Sequence, residues 1–214
     1  MQRIISLIFV IFLFSCKKQE TIVIKENKDP IEYESTNWQQ DFGLTHSIDS
    51  DSVWGKPMRY YMSNKNCDPI AKDFYLGVYS PKDEPKTARL LNLVTLENDS
   101  LRPFYRWILN KTILIQDGAL GEYTGVPARK YAEKFPKEFF EYMDFDKSGK
   151  KYSDWYNSIA YSGFYDFENS NDTNKIKESL IETMTKNCKN CNIDYQKRIV
   201  KFADDCFSSE NSTK

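Results

Sequence analysis

The sequence predicts an all-α fold, a single irregular domain of about seven or eight short helices that ends in a helical hairpin. Three observations predict it. Apolar residues recur at helical spacing over most of the chain after residue 68, alternation typical of β-strands is nearly absent, and turn-forming residues interrupt the helical segments at short intervals. No repeat of fixed period is found, so a solenoid has no support in the sequence.

The helical domain is expected over residues 38–214. It follows residues 16–37, which are polar and charged apart from Ile22-Val23-Ile24, a composition typical of a flexible tether. Residues 38–67 scatter aromatic side chains among turn-forming residues, which predicts irregular structure or a short strand packed on the main body. The length is sufficient for one domain with its own core.

The first clear helix begins at Asp68-Pro69, because a capping carboxylate followed by proline at the first helical position is typical of a helix start. It is expected to end near Tyr79. A second helix is expected over 86–97, and the cleanest amphipathic segment follows Asn98-Asp99. The apolar stripe of that segment consists of Leu101, Phe104, Tyr105, Ile108 and Leu109.

Turn-forming residues divide the middle of the chain. Gln116-Asp117-Gly118 and Gly125-Val126-Pro127 are expected to end helices, and Phe135-Pro136 is expected to separate two short ones. A turn at 146–149 then precedes a helix over 151–161.

The C-terminal third is predicted to be a helical hairpin, since two apolar stripes at helical spacing flank a polar loop. The first stripe consists of Ile176, Leu180, Ile181, Met184 and Cys188. The second, after the loop 189–192, consists of Tyr195, Ile199, Phe202, Ala203 and Cys206.

Residues 1–15 have the features of an export signal. Arg3 supplies a positive charge, and residues 4–14 are apolar except for Ser6, a run too short for a membrane-spanning helix of about 20 residues. Leu13-Phe14-Ser15-Cys16 resembles the lipobox of bacterial lipoprotein precursors. The resemblance implies cleavage before Cys16 and transfer of a diacylglyceryl group to its thiol.

An acylated Cys16 would hold the protein to the lipid bilayer, because several acyl chains together bind a membrane durably. Lys17 follows it, in place of the Asp that resembles an inner-membrane retention signal. The resemblance therefore implies a lipid-anchored protein of the cell envelope, at the outer membrane where the host has two. An ordinary secretory signal with an incidental cysteine is the alternative.

The charge pattern argues against a nucleic-acid partner. Removal of residues 1–15 leaves a net charge of about −2, and Lys and Glu are interleaved along the whole chain. Nucleic-acid binding usually requires a concentrated basic face, which is not seen here.

Four cysteines remain once Cys16 is acylated, an even number in an exported chain. If 192–207 is one straight helix, Cys191 and Cys206 lie about 22 Å apart, far beyond the roughly 7 Å that a disulfide allows. A bridge from Cys188 to Cys206 is disfavoured for the same reason. We therefore expect the pairs Cys188–Cys191 and Cys67–Cys206.

The segment Cys188-Lys189-Asn190-Cys191 admits other interpretations. A thioredoxin-like redox pair would open a helix in an α/β setting, whereas this pair closes one helix and precedes another. Covalent haem attachment needs His where Asn192 stands. A zinc site usually needs two closely spaced pairs, and Cys67 and Cys206 are isolated. Buried free thiols remain an alternative for Cys188 and Cys206.

Residues 144–149 resemble the opening of an EF-hand calcium loop. Asp144, Asp146 and Ser148 occupy the first, third and fifth ligand positions and Gly149 the sixth. The twelfth position, which needs a bidentate Glu, is Trp155. A glycine-containing turn between two helices is therefore the better interpretation.

Aromatic residues make up 15% of the chain and are densest between residues 131 and 167. Tyr142, Trp155 and Tyr156 are candidates for lining a groove that binds a sugar or a partner protein. The favoured alternative is a core built from aromatic residues.

Catalytic motifs are scarce. His46 is the only histidine, and no nucleophile elbow, zincin motif or phosphate-binding glycine loop accompanies it. We therefore expect no cofactor and a non-catalytic domain that binds a protein or glycan, with toxin neutralisation as one form. The alternative is an envelope enzyme, a thiol oxidoreductase through Cys188 and Cys191 or a carboxylate hydrolase.

Overall fold

The computed structural model describes residues 42–44, 47–167 and 172–208, all within the second of two units, Asn37–Lys214. These residues form two short strands and nine α-helices, which confirms the all-α class. The strands are β1 (Ser52–Val53) and β2 (Lys56–Pro57). The helices are α1 (Met58–Met62), α2 (Pro69–Tyr75), α3 (Pro85–Asn92), α4 (Arg102–Ile115), α5 (Gly118–Lys134), α6 (Pro136–Asp144), α7 (Lys150–Ser162), α8 (Thr173–Asn187) and α9 (Ile193–Cys206), with a 3₁₀ turn at Leu93–Thr95.

Side-chain caps fix several helix starts where the sequence indicates them. The Asp68 carboxylate accepts the N–H of Ile70 at 2.9 Å, with Pro69 in the first turn of α2. The Asn192 side chain accepts two backbone N–H groups at the start of α9. Each cap satisfies donors that the helix itself leaves free.

The expected break at Gly125-Val126-Pro127 is wrong, because α5 continues through Pro127 to Lys134. Packing against α7 explains the continuity. The Gly125 N–H donates to Ser162 Oγ at 3.1 Å, and Ser162 Oγ donates to the Gly121 carbonyl at 2.6 Å. These bonds across the helix pair support backbone that a proline-containing helix would otherwise leave weak.

The region before Asp68, where irregular structure or a short strand was expected, contains a small β-hairpin. The strands are antiparallel, with Val53 opposite Lys56, and the two-residue turn is Trp54-Gly55. Both turn residues have positive φ, 53° and 73°, which is typical of a type I′ turn. The Tyr61 hydroxyl of α1 donates to the buried Val53 carbonyl at 2.9 Å and holds the hairpin on the helices.

Aromatic side chains fill much of the core. Tyr131, Phe139, Trp155 and Phe202 are all fully buried. Their rings contact each other, with centroids 4.9 Å apart for Phe139 and Phe202 and 5.8 Å apart for Tyr131 and Trp155. The core interpretation is therefore correct for the inward members of the aromatic cluster.

The C-terminal hairpin is confirmed as α8 and α9. Leu180 and Met184 of α8 and Ile199 and Phe202 of α9 are buried on its inner faces. In the part of the chain that the structure describes, no helix has the length and apolar character needed to cross a membrane.

Candidate functional site

The turn between β1 and β2 positions Trp54 against α4 and α6. Trp54 remains 42% exposed. Its ring centroid lies 4.3 Å from Cζ of Arg106, and the Tyr142 ring lies 4.0 Å from the same atom. A cation beside two aromatic rings is held by their negative faces.

Arg106 is almost completely enclosed, with 1% of its side chain exposed. Its Nη1 donates to the Tyr131 hydroxyl and to Glu138 Oε1, both at 2.9 Å. Tyr131 also donates to Glu138 at 3.0 Å, and burial raises the pKa of its phenol far above the usual range. The Nε of Arg106 is buried without a hydrogen-bond partner among the described residues.

Arg102, one turn earlier in α4, reaches the same glutamate. Its Nε donates to Glu138 Oε2 at 2.8 Å, Nη1 to the Leu96 carbonyl at 3.3 Å and Nη2 to Asp99 at 2.6 Å. Its Cζ lies 3.8 Å from the Phe135 ring centroid. The spacing of four residues puts both arginines on one face of α4, so one carboxylate serves two cations.

A groove of about 590 Å³ runs beside this pair. It is lined by Trp54, Asp99, Arg102, Pro103, Lys134, Phe135, Pro136, Lys137, Glu138, Glu141, Asn187 and Lys189. The volume falls within the range of about 300–1,000 Å³ that small ligands occupy. Aromatic surface and charges of both signs therefore face one concave space.

Phe145 and Lys151 extend the aromatic and cationic surface beyond the groove. Phe145 is 68% exposed, and its ring centroid lies 4.4 Å from that of Trp54. The Nζ of Lys151 lies 4.2 Å from the Tyr142 centroid. Burial lowers the pKa of the Lys151 ammonium group.

The sequence-based candidates for binding occupy three different environments. Tyr142 belongs to this site, and burial raises its pKa to about 12. The expectation that Trp155 lines a binding groove is wrong. Trp155 is fully buried, and its Nε1 donates to Asn110 at 2.9 Å. Tyr156 is half-buried and packs on Tyr152, with centroids 5.5 Å apart.

Sequence reasoning missed Trp54, Arg106 and Phe145. A detectable signal existed for the arginine, because Arg102 and Arg106 interrupt the apolar stripe of α4 at a spacing of four. Basic residues at such positions must find partners once the helix is buried. The sequence Trp54-Gly55 does not by itself predict a hairpin turn, since Asn-Gly is the usual sequence of a type I′ turn.

The calcium-loop candidates have other partners. Asp144 pairs with Arg198, with Nη2–Oδ1 at 2.7 Å. Asp146 accepts the N–H groups of Ser148 and Lys151 and the Ser148 hydroxyl, and these bonds lower its pKa to about 2. Among the described residues no group of three or more His, Cys, Asp or Glu side chains could hold a metal. The arrangement is that of a capped turn before α7.

Cys188 and Cys191 form the expected disulfide, with Cα atoms 5.5 Å apart. Cys188 follows the last residue of α8, and Cys191 immediately precedes the cap of α9. The bridge therefore closes the loop of the C-terminal hairpin.

The expected bridge between Cys67 and Cys206 is wrong, since both are buried free thiols. Each thiol packs in a different part of the core. Cys67 lies beside Tyr105 of α4, whereas Cys206 lies beside Tyr152 of α7. Burial raises the pKa of both thiols.

Cys16 and His46, the expected lipidation site and the lone histidine, lie outside the described residues. Comparisons with protein-family models, curated proteins and solved structures found no match to this chain. Its function therefore has to be argued from the geometry of its own residues.

Proposed function

We propose that this chain is a lipid-anchored protein of the bacterial cell envelope, attached to the outer membrane through an acylated Cys16. Its helical domain binds a protein or glycan through the groove beside Trp54. The observation that carries the binding proposal is the position of Trp54, a large, part-exposed aromatic residue held at φ 53° at the mouth of a charged groove.

The conformation of Trp54 argues for a role outside the core. A bulky residue in the left-handed region costs about 1–3 kcal/mol, and such residues cluster at binding sites. Burial does not explain its position, because Trp54 is 42% exposed. Trp54, Tyr142 and Arg106 are also the residue types that dominate binding energies at interfaces.

The anchor is supported by the lipobox-like segment Leu13-Phe14-Ser15-Cys16. Residues 17–37 are mostly polar and could span several tens of ångströms at about 3.5 Å per residue. The domain would then face a partner some distance from the bilayer. Neutralisation of an incoming toxin is one specific form of this function.

Cell fractionation tests the anchor. The chain carrying Cys16→Ser should leave the membrane fraction, and the mass of the unchanged protein should include acyl groups on Cys16. Equal membrane retention of both proteins would contradict lipid anchoring through this residue.

Photo-crosslinking in intact cells tests the groove. A photoreactive amino acid replacing Lys137, an exposed lining residue, should give an adduct that the Trp54→Ala substitution removes. The same amino acid at Lys175, exposed at the start of α8, is the control. Identical patterns from both positions, unaffected by Trp54→Ala, would contradict binding at this groove.

The disulfide favours one alternative, a thiol oxidoreductase. Cys188 is buried, and Cys191 is the more exposed of the pair. If the protein is a thiol oxidoreductase, its reduced form should reduce the disulfides of insulin, whereas a Cys188→Ser/Cys191→Ser variant should not. Equal rates for the two proteins would exclude this activity.

A further inference from the structure

The buried guanidinium of Arg106 has one unused edge. All its hydrogen bonds leave from Nη1, so that Nε and Nη2 have no partner among the described residues. The N–H bonds of Nε and Nη2 are parallel, which is the geometry that binds the two oxygens of a carboxylate. A buried donor without an acceptor is unfavourable, and a ligand oxygen would relieve it.

The other two arginines that are buried in the described part of the chain have no such edge. Arg102 donates from all three nitrogens. Arg129 does likewise, from Nε to the Gly163 carbonyl, from Nη1 to Glu133 and from Nη2 to Asp166. The unused edge is therefore particular to Arg106 and to the surroundings of Trp54.

We propose that Arg106 anchors a carboxylate subsite and that the partner is an acidic glycan. The inference rests on the proposed function, since it names the ligand of the same groove. Trp54 and Glu138 line the groove and also contact Arg106, so the guanidinium lies against the groove wall.

Three cations lie near this edge, and each has a carboxylate close to it. Arg102 and Arg106 share Glu138, and Asp99, the remaining partner of Arg102, is 91% exposed. Lys151 adds a third cation at the Tyr142 ring, and the Asp146 carboxylate attracts it. What the site lacks is therefore a hydrogen-bond acceptor for the buried Nε of Arg106, which a ligand carboxylate would supply in a poorly solvated place.

Access requires the indole to move aside. Trp54 sits in the strained turn, and the space beside the Cα of Gly55, the other turn residue, is open. A strained turn persists only while surrounding contacts hold it, so ligand contacts that replace those of the indole would let the turn relax. The carboxylate binds in the plane of the guanidinium at its Nε–Nη2 edge, and the displaced indole packs on the sugar.

The groove favours a saccharide over a protein segment. Its lining offers many charged hydrogen-bonding groups around the rings of Trp54 and Phe135. A sugar ring presents hydroxyls at its edge and C–H groups on its face, and aromatic faces attract such weakly positive hydrogens. Its volume also suits a short oligosaccharide better than an extended interface.

NMR titration of the full chain in detergent micelles tests the subsite through the arginine Nε–H signals. Digalacturonate should shift the Arg106 signal saturably, whereas the uncharged galactose disaccharide should not. The Arg106→Lys variant identifies the signal and should weaken digalacturonate binding at least about tenfold, as expected for lost bonds to a charged group. The Arg129→Lys variant, which alters a buried arginine with no unused edge, should bind normally.

A second variant keeps the test decisive if Arg106→Lys does not fold. Lys151→Gln removes the cation at the Tyr142 ring and should weaken binding a few-fold. An Arg106 signal that is unmoved by digalacturonate would overturn the proposal, and so would a shift caused only by acetylated glutamate, which would indicate a protein carboxylate. A groove-dependent crosslink together with an unmoved signal would overturn the acidic glycan and leave the proposed function standing.

Discussion

At Trp54 and Arg106 the chain keeps two unfavourable features next to each other. The backbone of Trp54 has a positive φ, a conformation better suited to glycine or asparagine. The Nε of Arg106 is a buried donor without an acceptor. Natural proteins rarely keep such features unless they serve a function. Their proximity, with the ring 4.3 Å from the guanidinium carbon, is therefore the strongest residue-level indication of a binding site.

Gly125 tests the close packing of α5 against α7. A Cβ at this position would lie 2.4 Å from the Gly163 nitrogen and 2.5 Å from the Ser158 carbonyl oxygen. We expect Gly125→Ala to lower the free energy of unfolding by about 2–3 kcal/mol, because backbone must shift. Gly118→Ala, at an open position in the same helix, should change the free energy of unfolding by less than about 0.5 kcal/mol. Urea titrations measure both variants. Equal effects would contradict the contact.

We expect the Asp146 carboxylate to contribute to the stability of the fold in a pH-dependent way. Hydrogen bonds to its carboxylate depress its pKa from 3.8 to about 2. Its stabilising effect is thus fully present above the unfolded-state pKa and is lost as the pH falls through the folded-state value. Asp146→Ala should be less stable than the unchanged chain at pH 7, and the difference should shrink between about pH 4 and pH 2. A constant difference across that range, in urea titrations, would argue against the cap.

At the scale of elements, the hairpin of α8 and α9 combines local and tertiary constraints. The Asn192 cap fixes the start of α9, and the disulfide fixes the loop before it. Salt bridges between the two helices, such as Lys177 with Asp204, are partly exposed and contribute little. The loop and the buried faces therefore determine the geometry of the hairpin.

Removing the disulfide should loosen this hairpin. The bridge closes a loop of only four residues, so loop-closure entropy predicts a loss of about 2 kcal/mol in the Cys188→Ser/Cys191→Ser variant. Reductant should bring the unchanged protein to the same urea midpoint. No difference between oxidised and reduced protein would show that the bridge is not a structural one.

At the scale of the whole molecule, Glu138 joins three helices. It lies on α6 and accepts bonds from Arg102 and Arg106 of α4 and from Tyr131 of α5. Because α4 and α6 also frame the groove, the network couples the stability of the core to the shape of the site. A change at Glu138 should therefore affect both.

Glu138→Gln should lower the free energy of unfolding by about 2–3 kcal/mol, because two enclosed arginines lose their shared carboxylate. The control is Glu141→Gln, one turn later, where an exposed pair with Lys137 should contribute less than about 0.5 kcal/mol. Chemical unfolding of the two variants compares them directly. Similar losses would indicate that the arginine network contributes little to stability.

Local signals in the sequence were sufficient for the fold class and for several boundaries. Capping residues, helical spacing of apolar residues and Phe135-Pro136 depend on interactions within a few residues, which the sequence displays directly. The disulfide of the C-terminal loop was predictable for the same reason, because its cysteines are three positions apart. The lipid anchor is inferred from the sequence alone.

Only the tertiary structure decided the rest. Pro127 stays within a helix because α7 supplies hydrogen bonds from far along the chain, and Cys67 and Cys206 remain apart because different helices enclose them. The candidate site likewise joins a hairpin turn, α4 and α6, elements with no local relation in sequence. Spacing along a chain determines short-range structure, whereas contacts between distant segments depend on how all the elements pack together.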